Sequence, residues 1–345
     1  MPVDVVNFIV SQRNPYNELL YGGADRRYRM RPGTIDDALA GMESGGSSLF
    51  HLHWEERLLV EHRERDVAAA VMAAFEQRLD TFLARGGRLV WTIHNALPHE
   101  PSHLDLFLTL RRRLAERAAL ILVHHEAAAE TLAGQCAVDR SKLQLLPHPA
   151  YFGAYESEAE TRVREPDWQS RRLMTFGMLR PYKGFDLLAE AAALAPDIGL
   201  DVIGEPGPRF AAEVAPVLAR TPSIAVSPNR VEDADLPALM RRVRGLVLPY
   251  RALLGSGVAL LAMTFGRPIV APDVRQVRDL LPFAALRFLY RPRDAGSLAA
   301  RMRDLVALGE DQQRQLRRDL QGAAMRFHPE RVGARLFALL DAVSR

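Results

Sequence analysis

The sequence holds a single cysteine, Cys136, so an intramolecular disulfide and a cysteine-based metal cluster are both excluded. No stretch reaches the roughly 18 uninterrupted apolar residues that a membrane-spanning helix needs. The formal net charge is only +3, which is too small an excess to indicate nucleic-acid binding. The short apolar run near the N-terminus lacks a preceding positive segment, so we interpret it as a first strand and expect a cytoplasmic protein.

A dinucleotide-binding fingerprint is also absent. No Gly-x-Gly-x-x-Gly follows the first predicted strand with an acidic residue downstream, which disfavours a dehydrogenase or an epimerase. Hydrophobic residues make up 48% of the chain and charged residues 25%, as in a soluble globular protein. A length of 345 residues predicts two domains, each with its own core.

Strand-like and helix-like segments alternate along both halves, a pattern typical of parallel α/β sheets. A polar segment, 156–172, predicts an interdomain linker. We therefore expect an N-terminal domain of residues 1–155, joined by a C-terminal helix of residues 328–345, and a second domain of residues 156–327. A cleft between them, at the carboxyl ends of both sheets, is the expected functional site. The predicted strands are 3–10, 49–53, 88–93, 120–123, 142–146, 173–176, 200–203, 224–226, 246–248, 269–270 and 286–290.

The stretch from Leu246 to Asp273 reads as a strand, a glycine-rich turn, an apolar helix and a second strand. This is a crossover unit of a parallel sheet. Its turn, Gly255-Ser256-Gly257, would direct backbone N–H groups and the positive end of a helix toward a ligand, for which phosphate is the natural candidate. A plain tight turn is the alternative interpretation.

Histidines and other polar residues recur at the predicted ends of strands in the first half. One such histidine alone is explained equally well as a cap for backbone carbonyls, but their repetition favours a binding face. The spacings lack the helical pairs or cysteine partners that zinc sites commonly use. The residues at these positions are His51, His53, Trp54, Glu55, His94, Asn95, His99, Glu100, His124, His125 and His148.

The second half supplies basic residues and glycines instead. Arg180 and Lys183 lie between two glycines where a predicted strand gives way to a helix, an arrangement suited to clamping a diphosphate. The Gly204-Glu205-Pro206-Gly207 turn ends the next strand, and the loop around Arg230 follows another strand and is placed to face a nucleobase. A solvated basic loop is the alternative to the diphosphate clamp.

These residues carry a resemblance. The segments FGMLRPYKGFDLLAEA, VIGEPG, NRVEDADLPALM and VLPYRALLGSGVALLAMTFGRPIVAPD look like the donor-binding domain of GT-B glycosyltransferases. The segments HLHWEERLL, WTIHNALPHE, VHHEAAAETLAG and LPHPAYFGAY are similar to their acceptor domain. The HLHW and HNALPHE strings further resemble bacterial exopolysaccharide enzymes, including the xanthan-type GDP-mannose:glycolipid β-mannosyltransferases.

The resemblance implies an α/β protein of the GT-B fold, with two Rossmann-like domains facing each other across a cleft. It implies transfer of a hexosyl group, for example mannose from GDP-mannose, to a glycan or a polyprenyl-diphosphate-linked oligosaccharide, without a metal ion or other cofactor. The implied donor-binding residues are Arg180, Lys183, Gly204, Glu205, Arg230, Ser256 and Gly257. The implied acceptor-binding residues are His53, Trp54, Asn95 and His99, and the implied catalytic residues are His94 and Glu100.

The sequence departs from this family at one point. Retaining members of the large GT-B group carry two glutamates eight positions apart, where this chain has Leu253 and Leu261. The loss fits either an inverting subgroup or an impaired site. An inverting transferase needs a general base. We favour Glu100 over His99, Glu55 and His53, although Glu100 is equally explained as a carboxylate at a helix start.

Three alternatives stay open from the sequence. The first is a nucleotide-sugar-binding subunit without activity. The second is a transferase that uses a UDP-linked glucosyl or glucuronosyl donor. Separately, the segment from Leu104 to Ala118 carries three consecutive arginines among apolar residues, which suits either a helix at a membrane surface or an ordinary amphipathic helix.

Overall fold

The computed structural model describes residues 2–8, 14–23, 25–43, 48–95, 103–251 and 257–344. The chain divides into two compact units. Unit 1 comprises Met1–Pro149 together with Pro329–Arg345, and unit 2 comprises Ala150–His328. Each unit contains a six-stranded, all-parallel sheet covered by helices. The predicted α/β class is therefore confirmed.

The sheet of unit 1 has the strand order β2-β1-β3-β4-β5-β6. The direction of strand progression reverses between β1 and β3, which makes the carboxyl ends of these strands a topological switch point, where α/β sheets commonly bind ligands. The strands are β1 (Val3–Phe8), β2 (Tyr28–Pro32), β3 (Ser48–His53), β4 (Arg88–Ile93), β5 (Leu120–Val123) and β6 (Leu143–Leu145).

The helices of unit 1 are α1 (Tyr16–Tyr21), α2 (Ile35–Glu43), α3 (Arg57–Val60), α4 (Arg65–Ala84), α5 (Leu104–Arg117), α6 (Glu126–Gln135) and the C-terminal α15 (Pro329–Ser344). The sequence pattern failed to predict α1, β2 and α2. The strand β2 was missed because it is a half-buried edge strand with three polar or charged side chains among five residues. Residues 57–84 form two helices, α3 and α4, because the backbone of Glu64 between them is extended.

The core of unit 1 lies between its sheet and the pair α1 and α15. Val5, Leu49 and Val90 are buried on this face of the sheet. Leu336 and Leu340 of α15 are fully buried against the same cluster. The last helix of the chain is therefore part of the core of the first unit. Its buried residues form the apolar stripe of an amphipathic helix.

The sheet of unit 2 has the order β12-β11-β10-β7-β8-β9, which is the strand order of the Rossmann nucleotide-binding sheet. Its switch point lies between β7 and β10. The strands are β7 (Leu173–Phe176), β8 (Leu200–Ile203), β9 (Ile224–Ser227), β10 (Gly245–Val247), β11 (Ile269–Pro272) and β12 (Leu289–Tyr290). The last strand is shorter than expected because Phe283–Phe288 forms a 3-10 helix.

The helices of unit 2 are α7 (Glu158–Val163), α8 (Phe185–Leu194), α9 (Ala215–Leu218), α10 (Leu236–Arg242), α11 (Gly257–Thr264), α12 (Arg275–Arg278), α13 (Ala295–Val306) and α14 (Glu310–Ala324). The segment 156–172, expected to be a linker, contains α7. The Ser157 side chain accepts from the backbone of Glu160, and the Glu160 side chain accepts from the backbone of Ser157. This capping box starts a helix within a polar sequence.

Two glycines of unit 2 adopt the same left-handed backbone conformation in different surroundings. Gly184 has φ +75°, and a Cβ at this position would lie 2.1 Å from the Pro249 carbonyl oxygen. Gly153 has φ +78°, and a Cβ there would meet nothing within 4 Å. Because the backbone angles match, the pair separates the cost of the conformation from the cost of the contact.

We predict that Gly153→Ala lowers the free energy of unfolding by about 1–2 kcal/mol, the cost of a left-handed alanine. Gly184→Ala should cost this plus about 1–3 kcal/mol of overpacking. Urea unfolding of both variants measures the difference. Equal losses would show that the loops after β7 and β10 are not in contact at Gly184.

Candidate active site

The loops that follow β7 and β8 lie against each other at the carboxyl edge of unit 2. Gly204 has φ +156°, and a Cβ on it would lie 2.1 Å from the Gly177 carbonyl oxygen, so only glycine permits this approach. The Leu179 N–H donates to the Glu205 carbonyl at 2.8 Å, and the Gly207 N–H donates to the Leu179 carbonyl at 3.1 Å. The predicted residues Gly204 and Glu205 are thus brought beside the loop that carries Arg180 and Lys183.

Lys183 is buried at the end of β7, with only 5% of its surface exposed. Its Nζ donates to the Phe176 carbonyl at 3.3 Å and lies 5.6 Å from the centroid of the Tyr250 ring, which follows β10. Among the described residues, no carboxylate lies within ion-pair distance of Lys183. It is one of only two lysines in the chain. The switch point of unit 2 therefore holds a buried amine for which the described ranges of the chain supply no counter-ion.

Burial, and secondarily the charge of Arg180, lowers the pKa of Lys183 to about 7. A buried ammonium without a partner is unfavourable, and an anion at this position would stabilise its charged form. Arg180 is partly exposed, and Nε of its guanidinium contacts Met178 Sδ. The helix α8 begins directly after this loop, with its positive end at the same edge. The arrangement suits a phosphate or diphosphate.

Other predicted donor-binding residues have different surroundings. Arg230 lies in the loop after β9, 30% exposed and 3.9 Å from both Glu232 and Asp233. Gly257 is the first residue of α11, whereas Ser256 lies outside the described residues. Leu261 is 3% exposed within α11, so this position is part of the core.

The predicted acceptor-binding residues of unit 1 lie at the carboxyl ends of β3 and β4. Trp54 directly follows β3 and has φ +48°, which is uncommon for a residue with a bulky side chain. Its ring stacks on the His94 ring at a centroid distance of 4.1 Å. Strained backbone conformations concentrate at functional sites, so this stack is a candidate platform for a ligand. His99 lies outside the described residues.

The His94 ring of this stack also belongs to a hydrogen-bonded chain of three histidines. His124 Nδ1 lies 2.9 Å from the Leu146 carbonyl, so this nitrogen must carry the proton and donate. His124 Nε2 is then the acceptor for His94 Nδ1, at 3.3 Å. His94 Nε2 in turn accepts from His53 Nδ1, at 3.0 Å. One backbone carbonyl thus fixes the tautomers of all three rings.

These histidines are neutral near pH 7. Burial lowers the pKa of His124 to about 3 and holds the pKa values of His53 and His94 well below the usual range. Both ring nitrogens of His94 are engaged, so the described contacts assign it to positioning and stacking. Nε2 of His53 is a buried acceptor without a hydrogen-bond partner among the described residues.

Glu55 belongs to the interior of unit 1. Its Oε1 accepts from Arg111 Nε at 2.8 Å, and its Oε2 accepts from Trp91 Nε1 at 3.2 Å. Both side chains of the ion pair are 1% exposed. This buried pair explains Glu55 structurally. Of the three consecutive arginines of α5, Arg111 is buried in this pair and Arg112 and Arg113 are exposed, so a membrane-surface role for this helix stays a prediction.

A neighbouring carboxylate, Glu56, was missed by the sequence interpretation. It lies one residue after Glu55, is 8% exposed, and accepts from Asn95 Nδ2 at 2.6 Å. The signal was present in the HLHWEE string, where two successive carboxylates follow a buried strand. Glu100, the base favoured from the sequence, lies outside the described residues.

Two further features concern the part of the chain that the structure describes. Within it, no three side chains of histidine, cysteine, aspartate or glutamate are arranged to hold a metal ion. None of the helices in these ranges combines the length and the apolar character needed to cross a membrane.

Comparison with solved structures identifies the class. HepE of Anabaena, in complex with UDP and glucose, matches with a TM-score of 0.69 at 14% identity, over 99% of this chain and 100% of its own. Sucrose-phosphate synthase from Thermosynechococcus elongatus matches with a TM-score of 0.66 at 15% identity, over 99% of each chain. The chain has the GT-B fold, as predicted.

Comparison of sequences adds a family match within unit 2 and a relative of known activity. Residues 170–307 match the family model of the glycosyl transferases group 1. Over 265 residues, the chain is 27% identical to the GDP-mannose:glycolipid 4-beta-D-mannosyltransferase of Xanthomonas campestris pv. campestris, covering 75% of this chain and 70% of that protein. This protein carries a glycosyltransferase group 1 domain in unit 2 and is a glycosyltransferase.

The buried pair in unit 1 yields a stability prediction. Arg111→Met should lower the free energy of unfolding by about 3–5 kcal/mol, because it leaves the Glu55 carboxylate buried and uncompensated. Arg112→Met is the matched control, since Arg112 is exposed on the same helix and should stay within about 0.5 kcal/mol of the wild type. Urea unfolding checks both values. A loss below about 1 kcal/mol for Arg111→Met would contradict the buried pair.

For Lys183 we predict a substitution that stabilises the protein, in contrast to Arg111→Met. Its pKa falls from 10.5 to about 7 on folding, so the fold disfavours the protonated amine and becomes less stable as the pH drops from 10.5 toward 7. Lys183→Met should therefore raise the melting temperature of the ligand-free protein at pH 7, by about 2–4 °C for each kcal/mol recovered. Lys142→Met, at the half-buried second lysine whose Nζ donates to the Glu116 carbonyl at 3.0 Å, should not raise it. A melting temperature lowered by Lys183→Met would contradict the absence of a counter-ion.

Proposed function

We propose that this enzyme transfers mannose from GDP-mannose to a glycan or lipid-linked glycan acceptor in exopolysaccharide synthesis. The observation that carries the proposal is the buried Lys183, which pairs with no carboxylate among the described residues and lies beside Arg180 at the switch point of a Rossmann-type sheet. The donor and the acceptor class follow the activity of the Xanthomonas relative, a GDP-mannose:glycolipid mannosyltransferase.

The chemistry assigned to unit 2 is stabilisation of the leaving group. When the bond between the sugar and the nucleotide breaks, negative charge develops on the diphosphate. Lys183 and Arg180 neutralise this charge, and the N-terminus of α8 adds a favourable dipole. Gly204 and Gly257 allow close approach of the backbone. Because two side-chain cations supply the charge, the proposal includes no metal ion or other cofactor.

The chemistry assigned to unit 1 is acceptor binding. Trp54 offers an aromatic face that is held by its stack on His94, and aromatic faces suit the apolar side of a sugar ring. His53 offers a buried acceptor nitrogen, and Asn95 an amide. A polyprenyl-diphosphate-linked acceptor would bring the enzyme to the cytoplasmic face of a membrane as a peripheral protein.

A UDP-sugar donor is the second candidate. HepE of Anabaena has been solved with UDP and with UDP-glucose, and its fold matches this chain over nearly its whole length. The two candidates differ in the nucleobase, so the loop around Arg230 is where the choice would be made. The third possibility, a nucleotide-sugar-binding subunit without activity, shares the donor site but predicts no turnover.

Nucleotide-dependent thermal shifts test the proposal. GDP at about one hundred times its Kd should stabilise the protein by roughly 2.7 kcal/mol, and UDP should have a smaller effect. Arg180→Met should weaken GDP binding and kcat/KM with GDP-mannose by about 10- to 100-fold, as expected for a lost charge-assisted contact. Arg220→Met, at an exposed arginine of the same unit, is the control.

The outcomes separate the candidates. A selective UDP shift would replace GDP-mannose with a UDP-sugar donor. A GDP shift without turnover on any acceptor would favour the inactive binding subunit. A protein that no nucleotide stabilises would contradict the donor site at Lys183.

A further inference from the structure

We propose that Glu56 is the general base of the transfer reaction, the group that takes the proton from the attacking acceptor hydroxyl. This inference rests on the proposed function. It differs from the assignment made from the sequence, which favoured Glu100.

The position of Glu56 is the first argument. β3 ends at His53, and Glu56 lies in the turn that follows it. The carboxyl end of β3 is one side of the switch point of unit 1, which is the edge at which an open α/β sheet binds its ligand. Trp54, with its strained backbone, lies in the same turn as Glu56, and Asn95, which follows the end of β4, donates a hydrogen bond to Glu56.

The hydrogen bonds are the second argument. The Glu55 carboxylate is fully committed, because Arg111 and the Trp91 indole occupy its two oxygens. Among the described residues, the only side chain that donates to the Glu56 carboxylate is the neutral amide of Asn95. An amide orients a carboxylate without holding it in the charged form as strongly as a guanidinium does. Of the two successive carboxylates, Glu56 is therefore the one with capacity to accept a proton.

The electrostatics agree with this role. Burial, and next the charge of Glu55, raises the pKa of Glu56 to about 7, while the Asn95 hydrogen bond and the Arg111 charge act in the lowering direction. A general base works best when its pKa lies near the operating pH. The neutral, fully hydrogen-bonded His94 lacks this capacity.

The proposed step transfers the sugar from the nucleoside diphosphate to the acceptor hydroxyl. The oxygen of the acceptor hydroxyl forms a bond to the anomeric carbon of the donor, and the bond from that carbon to the diphosphate oxygen breaks. The electron pair leaves with the nucleoside diphosphate, and the hydroxyl proton passes to Glu56. Attack opposite the leaving group inverts the anomeric configuration. The Leu253 and Leu261 positions, without the paired glutamates, are consistent with an inverting site.

A three-variant comparison tests this base. Purified wild-type enzyme is assayed with GDP-mannose and UDP-glucose on a panel of synthetic phytanyl-diphosphate-linked oligosaccharides. Glu56→Gln should lower kcat by about 10²- to 10⁴-fold with KM for the donor unchanged within about twofold. Glu61→Gln, at an exposed glutamate directly after α3, should match the wild type. Glu100→Gln tests the rival base.

Two further readouts separate a catalytic from a structural role. Wild-type kcat/KM should rise with pH and level off above about 7, because the base must be deprotonated. Asn95→Ala removes the hydrogen bond that lowers the Glu56 pKa, so it should move this rise to higher pH. Because the fold raises the Glu56 pKa, stability is lost as the pH rises from about 4.5 to 7, and Glu56→Gln should not lower the melting temperature at pH 8.

Retention of more than about a third of kcat by Glu56→Gln, or loss of kcat in Glu100→Gln alone, would overturn the inference and leave the transferase assignment standing. Should Glu56→Gln fail to fold, an unshifted pH profile in Asn95→Ala would overturn it instead. Absence of wild-type turnover together with absence of a nucleotide-dependent thermal shift would overturn the proposed function itself, and this inference with it.

Discussion

The constraint on which the proposed donor site depends is a buried amine that pairs with no carboxylate in the part of the chain that the structure describes. Lys183 lies under the loops that leave β7 and β10, where Gly177 and Gly184 keep the backbone close. A buried amine of this kind costs stability, and in the proposed donor site a bound diphosphate would offset that cost. The proposal thus places anion binding at the point where the strand order reverses.

Unit 1 handles charge differently at its own switch point. His53, His94 and His124 are neutral and ordered by a single carbonyl, and Arg111, the one arginine that is buried among the described residues of unit 1, is matched by Glu55. Within the described residues, the Glu56 carboxylate is held by the neutral amide of Asn95, and Nε2 of His53 has no hydrogen-bond partner. In the proposed reaction, unit 2 supplies the cations Arg180 and Lys183, and unit 1 supplies the proton-accepting Glu56. This division matches a reaction in which one substrate loses a proton and the other releases a polyanion.

Much of this could be predicted from the sequence, and the failures have physical causes. Buried parallel strands are continuous apolar runs, which is why most strands of both sheets could be predicted. Lys183 was assigned to a diphosphate clamp because it lies between two glycines after such a run, and this assignment stays a prediction. The helix starting at Glu158 was missed because a capping box, not an apolar stripe, begins it. Glu55 and Glu56 are adjacent and chemically identical, so only tertiary contacts show that Arg111 neutralises the first and leaves the second.

The most direct test of the account is a count of protons taken up when the nucleotide binds. Calorimetric titration of GDP at pH 8, in buffers of different ionisation enthalpy, measures this number. With a pKa of about 7, most Lys183 is neutral at pH 8 before binding, so a diphosphate that recharges it should bring close to one proton per GDP bound. Lys183→Met should abolish the uptake. Tight binding by the wild type with no proton uptake would contradict the buried, unpaired amine as the diphosphate ligand.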